Sequence, residues 1–126
     1  QPGACGQGFW KNHEEAWEPT GYAPDDLVSG VFTIPAGLSD MDDDTLEEAL
    51  GYPGGSGASG GARLLLRTAV TALLNAGHPD VHYSLTTAEI IDAVNPALAS
   101  MDKQVMQDAR HAIDHHNDCG CPLGNE

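Results

Sequence analysis

The stretch ARLLLRTAVTALLNA, residues 62–76, decides the fold. Its polar side chains recur every four residues and form one narrow stripe, made of Arg63, Arg67, Thr71 and Asn75. Leucine, alanine and valine cover most of the remaining surface of the helix. A helix that is apolar around most of its circumference is buried against other helices. The stretch therefore predicts a buried central helix, and Gly77 is its expected C-cap.

Two further helices are predicted after the central one. Thr86, with Glu89 three residues later, matches a capping box and begins a helix that Pro96 kinks or restarts. Asp102 is expected to cap a last helix that runs to about residue 117. The apolar face of this last helix is expected to contain Val105, Met106, Ala109, Ala112 and Ile113.

The segment before the central helix is less regular. Residues 8–18 predict a short helix, in which Trp10 and Trp17 are seven residues apart and share a face. Glycine and proline punctuate residues 19–38, so we expect an extended loop there, with a short strand at residues 31–34.

A second short helix is predicted over TLEEAL, opened by Ser39 or Asp40 and ended by Gly51. The glycine and serine residues that follow predict a flexible loop at about residues 53–61.

Length and charge limit the class of protein. The chain has 126 residues, enough for one domain over residues 1–126. Its net charge is −14, from 19 acidic and 5 basic residues, which disfavours binding to nucleic acid or to an anionic membrane surface. Arg63 and Arg67 interrupt the longest apolar run, so membrane insertion is not expected. We predict an all-α fold, a small irregular helical bundle around one buried central helix.

Three cysteines lie at the extremes of the chain: Cys5, Cys119 and Cys121. In an oxidising compartment Cys5 would pair with one of the late cysteines and staple the two ends, a bond worth about 4–5 kcal/mol by chain entropy. A bond between Cys119 and Cys121 would be strained. The remaining cysteine is a spare thiol, a metal ligand or an intermolecular bridge.

The start at Gln1 is expected of a mature secreted protein after signal cleavage, or of a chain trimmed for expression.

Several pieces of the chain resemble a domain of secreted bacterial surface proteins. These pieces are CGQGFWKNHEEAW, ALGYPGG, GARLLLRTAVTALLNAGHPD, YSLTTAEIIDAVNPAL and CPL. In that domain a GFWKNH-type start and a GCPL-type end bracket the helices. The resemblance implies a secreted, cell-surface location and favours Cys121 as the partner of Cys5, which leaves Cys119 as the spare thiol. It implies no reaction, and the late histidines and Cys119 depart from its pattern.

The last helix carries the best candidate for chemistry. Asp108, His111 and His115 are spaced i, i+3 and i+7 and lie on one face. Two imidazoles one turn apart can bind Zn²⁺, Cu²⁺ or Ni²⁺, and Cys119 follows one turn later. The simpler interpretation is a polar helix end, with histidines near the negative end of the helix dipole.

Two weaker candidates remain. His78 and His82 flank the turn HPDVH and would complete a site if the turn folded against the last helix; local hydrogen bonding is the simpler interpretation. Asp40, Asp42 and Asp44 alternate like a Ca²⁺ loop, but Thr45 and Gly51 occupy the positions that such a loop gives to Gly and Glu. Acids in the first turn of a helix explain that pattern better, and only weak Ca²⁺ binding is expected.

No G-x-S-x-G or H-E-x-x-H motif supports catalysis. The leading hypothesis is a non-catalytic extracellular structural or interaction module, which binds itself or another extracellular protein and assembles at the surface or into a filament. The alternative is a metal-binding protein that uses the late histidines. A metal-dependent hydrolase is the third and weakest hypothesis, because it needs an open coordination position and a base as well.

Overall fold

The computed structural model describes residues 4–114, and this part of the chain is mostly helical, as predicted. Its α-helices are α1 (Gln7–Asn12), α2 (Val28–Val31), α3 (Leu46–Leu50), α4 (Gly57–Gly77), α5 (Thr87–Ser100) and α6 (Lys103–Asp114). Two 3₁₀ segments, Glu14–Thr20 and Ala36–Met41, join the early helices. The described residues form no strand; an isolated antiparallel bridge joins Leu27 to Thr45.

Helix α4 is the buried centre of the bundle, as its sequence predicts. It packs against α1, α3, α5, α6 and the first 3₁₀ segment. Leu65, Leu66, Leu73 and Leu74 are fully buried. The polar stripe of α4 is exposed unevenly along the helix. Arg63 and Arg67 are partly exposed, whereas Thr71 and Asn75 are buried.

Helix α4 begins earlier than predicted, since residues 57–61 are helical rather than part of a flexible loop. Gly60 explains the difference. A Cβ at this position would lie 2.1 Å from the carbonyl oxygen of Gly55, so the loop folds back directly onto the first turns of the helix. Gly61 lies under α6, where a Cβ would be 3.3 Å from the sulfur of Met106. These glycines permit close packing rather than flexibility.

The first predicted helix is in fact two elements, which meet at His13 (φ −131°, ψ 66°). The Nε1–H of Trp17 donates to the carbonyl of Trp10 at 2.8 Å. This carbonyl would otherwise accept the next bond of a continuing α-helix, so the indole ends α1 and begins the tighter turn. Both tryptophans are buried, as their spacing predicted.

The predicted strand at residues 31–34 is absent, and residues 28–31 form the single turn of α2. Here packing overrides the β preference of the valines and Phe32. Val28 and Phe32 are both buried, and the Val28 N–H donates to the carbonyl of Asp44 at 2.9 Å.

Helix α3 begins at Leu46, after its N-cap Thr45, and not at Ser39 or Asp40 as predicted. The Thr45 hydroxyl accepts from the Glu48 N–H, and the Glu48 carboxylate accepts from the Thr45 N–H, which completes a capping box. Asp40 instead lies in the second 3₁₀ segment.

The predicted starts of the last two helices are confirmed. Thr86 and Glu89 form the capping box of α5, which runs through Pro96 as one element and does not restart there. The carboxylate of Asp102 accepts from the Gln104 N–H at 2.8 Å and caps α6.

The buried face of α6 is narrower than predicted. Met106 and Ile113 are buried, whereas Val105 is 42% exposed and Ala112 is also exposed. The buried stripe follows positions 106, 110 and 113, and so it includes the partly buried Arg110.

Among residues 4–114, no helix combines the length and the apolar character that spanning a bilayer requires. Cys5 is fully buried in the core. Its two predicted partners, Cys119 and Cys121, lie outside the described residues.

Candidate functional site

Two arginines share a cavity between α4, α6 and the start of α1. Its volume is about 160 Å³. The residues that line it are Gly6, Gln7, Arg67, Thr68, Thr71, Arg110 and Asp114. The cavity therefore concentrates two of the five basic side chains of an otherwise strongly acidic protein.

Arg67 extends from the polar stripe of α4 and is only partly satisfied. Its Nη1 donates to the carbonyl of Tyr52 at 3.3 Å. A guanidinium carries five N–H donors, so this single bond leaves most of them available to the cavity. The neighbouring Thr71 hydroxyl donates to the carbonyl of Arg67 at 3.0 Å and is thereby held by its own helix.

Arg110 reaches the cavity from the buried stripe of α6. Its Nη2 lies 3.1 Å from Nε2 of His111, and because a guanidinium can only donate, the imidazole nitrogen is the acceptor of this bond. Its Nε is buried and, within the described part of the chain, has no hydrogen-bond partner. An unpaired buried N–H on a charged group is costly, which makes this atom unusual in a native protein.

Neither cavity arginine forms an ion pair with another described residue. The ion pairs within residues 4–114 join Arg63 to Asp40 and His13 to Glu15, each at 3.0 Å. Asp114, one turn after Arg110, lines the same cavity without coming within ion-pair distance of either arginine. No acid among the described residues therefore neutralises either arginine at ion-pair distance.

Next to this cavity, Asn75 fastens the N-terminal segment to α4. Its Oδ1 accepts from the Cys5 N–H at 2.7 Å, and its Nδ2 donates to the Cys5 carbonyl at 2.9 Å. The indole Nε1–H of Trp10 donates to the same Oδ1 at 3.3 Å. Asn75 is fully buried, so these bonds satisfy its amide away from water.

The metal-ligand residues predicted on the last helix are only partly described. Asp108 is exposed and accepts a bond from the Gln104 amide at 2.9 Å. His111 is exposed and contacts Arg110, as described above. His115 lies outside the described residues. Within residues 4–114, no three His, Cys, Asp or Glu side chains come together in a way that could hold a metal ion.

The turn histidines do not act together in the described structure. His78 is buried, its Nδ1 accepts from the Asp80 N–H at 3.1 Å, and its ring centroid lies 6.1 Å from that of Trp10. His82 is exposed. His78 thus has the local hydrogen-bonding role that the simpler interpretation gave it.

Two of the three alternating aspartates, Asp40 and Asp44, have separate side-chain partners. Asp40 pairs with Arg63 on the surface. Asp44 accepts a short bond, 2.5 Å, from the Tyr52 hydroxyl. Burial of Tyr52 and this bond to a carboxylate raise the pKa of its phenol well above the usual value. Asp40 thus binds Arg63 of α4, and Asp44 binds Tyr52, which follows α3. The weak Ca²⁺ binding expected of these acids stays a prediction.

The arginine cavity was not predicted from the sequence. The sequence contains a signal for one of its two arginines. Arg110 follows Met106 by four residues and precedes Ile113 by three, so it shares their helix face. A charged residue inside an apolar stripe points to a functional or tightly packed position. That Arg67 faces Arg110 depends on how α4 and α6 pack, which spacing alone does not determine.

The chain matches no protein-family model, no curated protein and no solved structure.

Proposed function

We propose that the protein is a non-catalytic extracellular structural or interaction module, in which both chain ends are fastened to the central helix. The observation that carries this proposal is the double hydrogen bond between Cys5 and Asn75. It holds the first cysteine at one fixed, fully buried position beside α4.

A disulfide from that position to the C-terminal segment would fix both ends against one helix. Small extracellular domains use such cross-links because their cores are small. We propose Cys121 as the partner of Cys5, as the sequence resemblance favours, and Cys119 as the residue available to a second chain. The net charge of −14 is compatible with a protein that stays dissolved outside the cell.

We further propose that the module self-associates into a surface assembly or filament. A cysteine left over from the intramolecular staple supports this, because it can link neighbouring copies. Head-to-tail contacts between copies would produce an open chain rather than a closed dimer.

The test uses the full chain, purified without reductant. We expect intact mass spectrometry to find one intramolecular disulfide, and light scattering to find a mass that rises with protein concentration. Cys119→Ser should keep the intramolecular bond and lose any intermolecular one, while Cys121→Ser is the matched variant that should lose the staple. A monodisperse monomer with no intermolecular disulfide at high concentration would contradict self-association.

We also propose metal binding through Asp108 and His111 of α6, together with His115, which follows the helix in sequence. The exposed, same-helix positions of Asp108 and His111 favour it, with His115 as the proposed third ligand. His78 and His82 are not included, since the first is buried in the core. Elemental analysis of protein never exposed to chelator tests it: stoichiometric Zn, Cu or Ni that is lost in His111→Ala supports the site, and its absence from the unmodified protein rejects a tight one.

A further inference from the structure

We propose that the cavity between Arg67 and Arg110 is a binding site for a carboxylate group. Three observations carry this: two guanidiniums line one cavity, neither is paired with an acid among the described residues, and the buried Nε of Arg110 lacks an acceptor. Arg110 Nε is itself buried, so the guanidinium must turn toward the cavity before a carboxylate oxygen can supply the acceptor that this atom lacks among the described residues.

Arg63 differs from the two cavity arginines in having an ion-pair partner. Arg63 lies on the same stripe of α4 as Arg67, one turn earlier, and is neutralised by Asp40 at 3.0 Å. With 19 acidic residues available, an unpaired arginine pair is not expected by chance placement. A buried or partly buried cation without a partner destabilises the fold unless an anion binds to it.

The shape of the donors favours a carboxylate. A planar guanidinium presents Nε and Nη hydrogens as a fork that matches the two oxygens of a carboxylate. Arg110 Nη2 has two hydrogens, so it can contact His111 with one and the ligand with the other.

The size and charge of the cavity limit the ligand further. A volume of about 160 Å³ is close to that of cavities that hold a single benzene ring, so one small group fits. The carboxylate of Asp114 lines the same cavity and repels a doubly charged phosphate more strongly than a singly charged carboxylate. The ligand class is therefore a small monocarboxylate, or the carboxylate of an acidic side chain that a second copy of this chain presents.

This proposal is independent of the proposed structural role, because ligand binding can be measured by NMR on the monomer. The three arginines, Arg63, Arg67 and Arg110, give three Nε–H signals in a ¹H–¹⁵N spectrum of the full chain, and substituting each by Gln assigns them. We expect sodium propionate to shift the Arg110 signal saturably and downfield. Sodium chloride at equal ionic strength should not do so, and the Arg63 signal should stay in place.

Matched variants test the cavity itself. Arg67→Gln should weaken propionate binding about tenfold or more, because a charge-assisted hydrogen bond is lost. Asp114→Asn should tighten it by removing the repelling charge, and Arg63→Gln should leave it unchanged. If Arg67→Gln does not fold by circular dichroism, Arg67→Lys keeps the charge without the fork and should still weaken binding.

The outcomes separate the two sources of the carboxylate. A saturable shift in dilute protein that depends on Arg67 supports a free monocarboxylate. A shift that appears with rising protein concentration alone, and is lost in Arg67→Gln, supports an acidic side chain of a second copy. An Arg110 Nε–H that responds to neither, or that responds equally to chloride or inorganic phosphate, overturns the proposal.

Discussion

Asn75 and Cys5, seventy residues apart in sequence, exchange two hydrogen bonds in the core of the bundle. The side-chain amide of Asn75 pairs with the backbone of Cys5 much as a neighbouring strand would. The Trp10 indole donates to the same oxygen, so one side chain of α4 binds two residues of the N-terminal segment. A fully buried amide is costly to place unless it is satisfied in this way.

Replacing Asn75 should destabilise the protein more than any other single polar substitution on α4. We expect Asn75→Leu to lower the free energy of unfolding by about 3–5 kcal/mol, since it leaves the Cys5 N–H, the Cys5 carbonyl and the Trp10 indole buried without partners. Urea denaturation followed by tryptophan fluorescence measures this. The control is Thr71→Val: Thr71 is also buried, but its hydroxyl bonds only to its own helix, so a loss below about 1 kcal/mol is expected. Equal losses in the two variants would contradict the role given to Asn75.

A methyl group at residue 60 should not fit. In Gly60→Ala the new Cβ would lie 2.1 Å from the Gly55 carbonyl oxygen, which is backbone and cannot rotate away. We expect a loss of about 1–3 kcal/mol in the free energy of unfolding, although alanine is the better helix former. Gly30→Ala is the matched control, because no atom lies within 4 Å of its added Cβ. That variant should be neutral or slightly more stable in thermal unfolding, and a stabilised Gly60→Ala would show that the loop does not fold onto α4.

The stability of the protein should fall at alkaline pH through Tyr52. Burial and the bond to Asp44 raise the pKa of Tyr52 in the folded state, so the folded protein keeps a proton that the unfolded chain releases near pH 10. The contribution of Tyr52 is therefore complete below about pH 10 and is lost as the pH rises further.

The comparison with Tyr52→Phe makes this measurable. At neutral pH the variant should be less stable by about 1–2 kcal/mol, because the bond to Asp44 is missing. Above about pH 10 the free energies of unfolding of the two proteins should converge, because only the wild type loses stability through ionisation of Tyr52 in the unfolded chain. Urea midpoints across the pH range test this, and curves that stay parallel would be evidence against a raised pKa.

Arg110 should contribute little to folding stability. Because its Nε has no partner among the described residues, Arg110→Met removes a buried unsatisfied donor and keeps an apolar side chain of similar length on the stripe of α6 that contains Met106 and Ile113. We expect the free energy of unfolding to change by no more than about 1 kcal/mol, in either direction. Arg67→Met provides the comparison, since that change removes a bond to the Tyr52 carbonyl. A loss above about 2 kcal/mol in Arg110→Met would mean that the guanidinium is satisfied in solution.

Local patterns in the sequence predicted much of the fold. The apolar circumference of residues 62–76 and the Thr86–Glu89 capping box each identified their helix correctly. A short strand was predicted at residues 31–34 because β-branched and aromatic residues prefer strands. Val31 instead ends the helical turn of α2, and Phe32 is buried in the core. Glycine content likewise predicted a loop at residues 57–61, where the glycines in fact allow close backbone contact.

The site was harder to predict, because it depends on contacts between helices. The spacing of Asp108 and His111 correctly placed both on an exposed face, yet it gave no information about Arg110 between them. The cavity needs the register of α4 against α6, which brings Arg67 and Arg110 together, and no local pattern carries that register. A charged residue inside a buried stripe was the one available signal.

The position of Cys5 also determines when its chemistry can occur. Because the residue is fully buried and bonded to Asn75 of α4, a reagent reaches its sulfur only after the segment that carries Cys5 detaches from α4. The rate at which a thiol reagent exchanges with a disulfide at Cys5 is then set by the rate or the population of this local opening, and not by encounters with the folded surface. The hydrogen bonds of Asn75 thus limit the rate at which the N-terminal segment opens. Weakening them should speed disulfide exchange at Cys5 before it changes the fold.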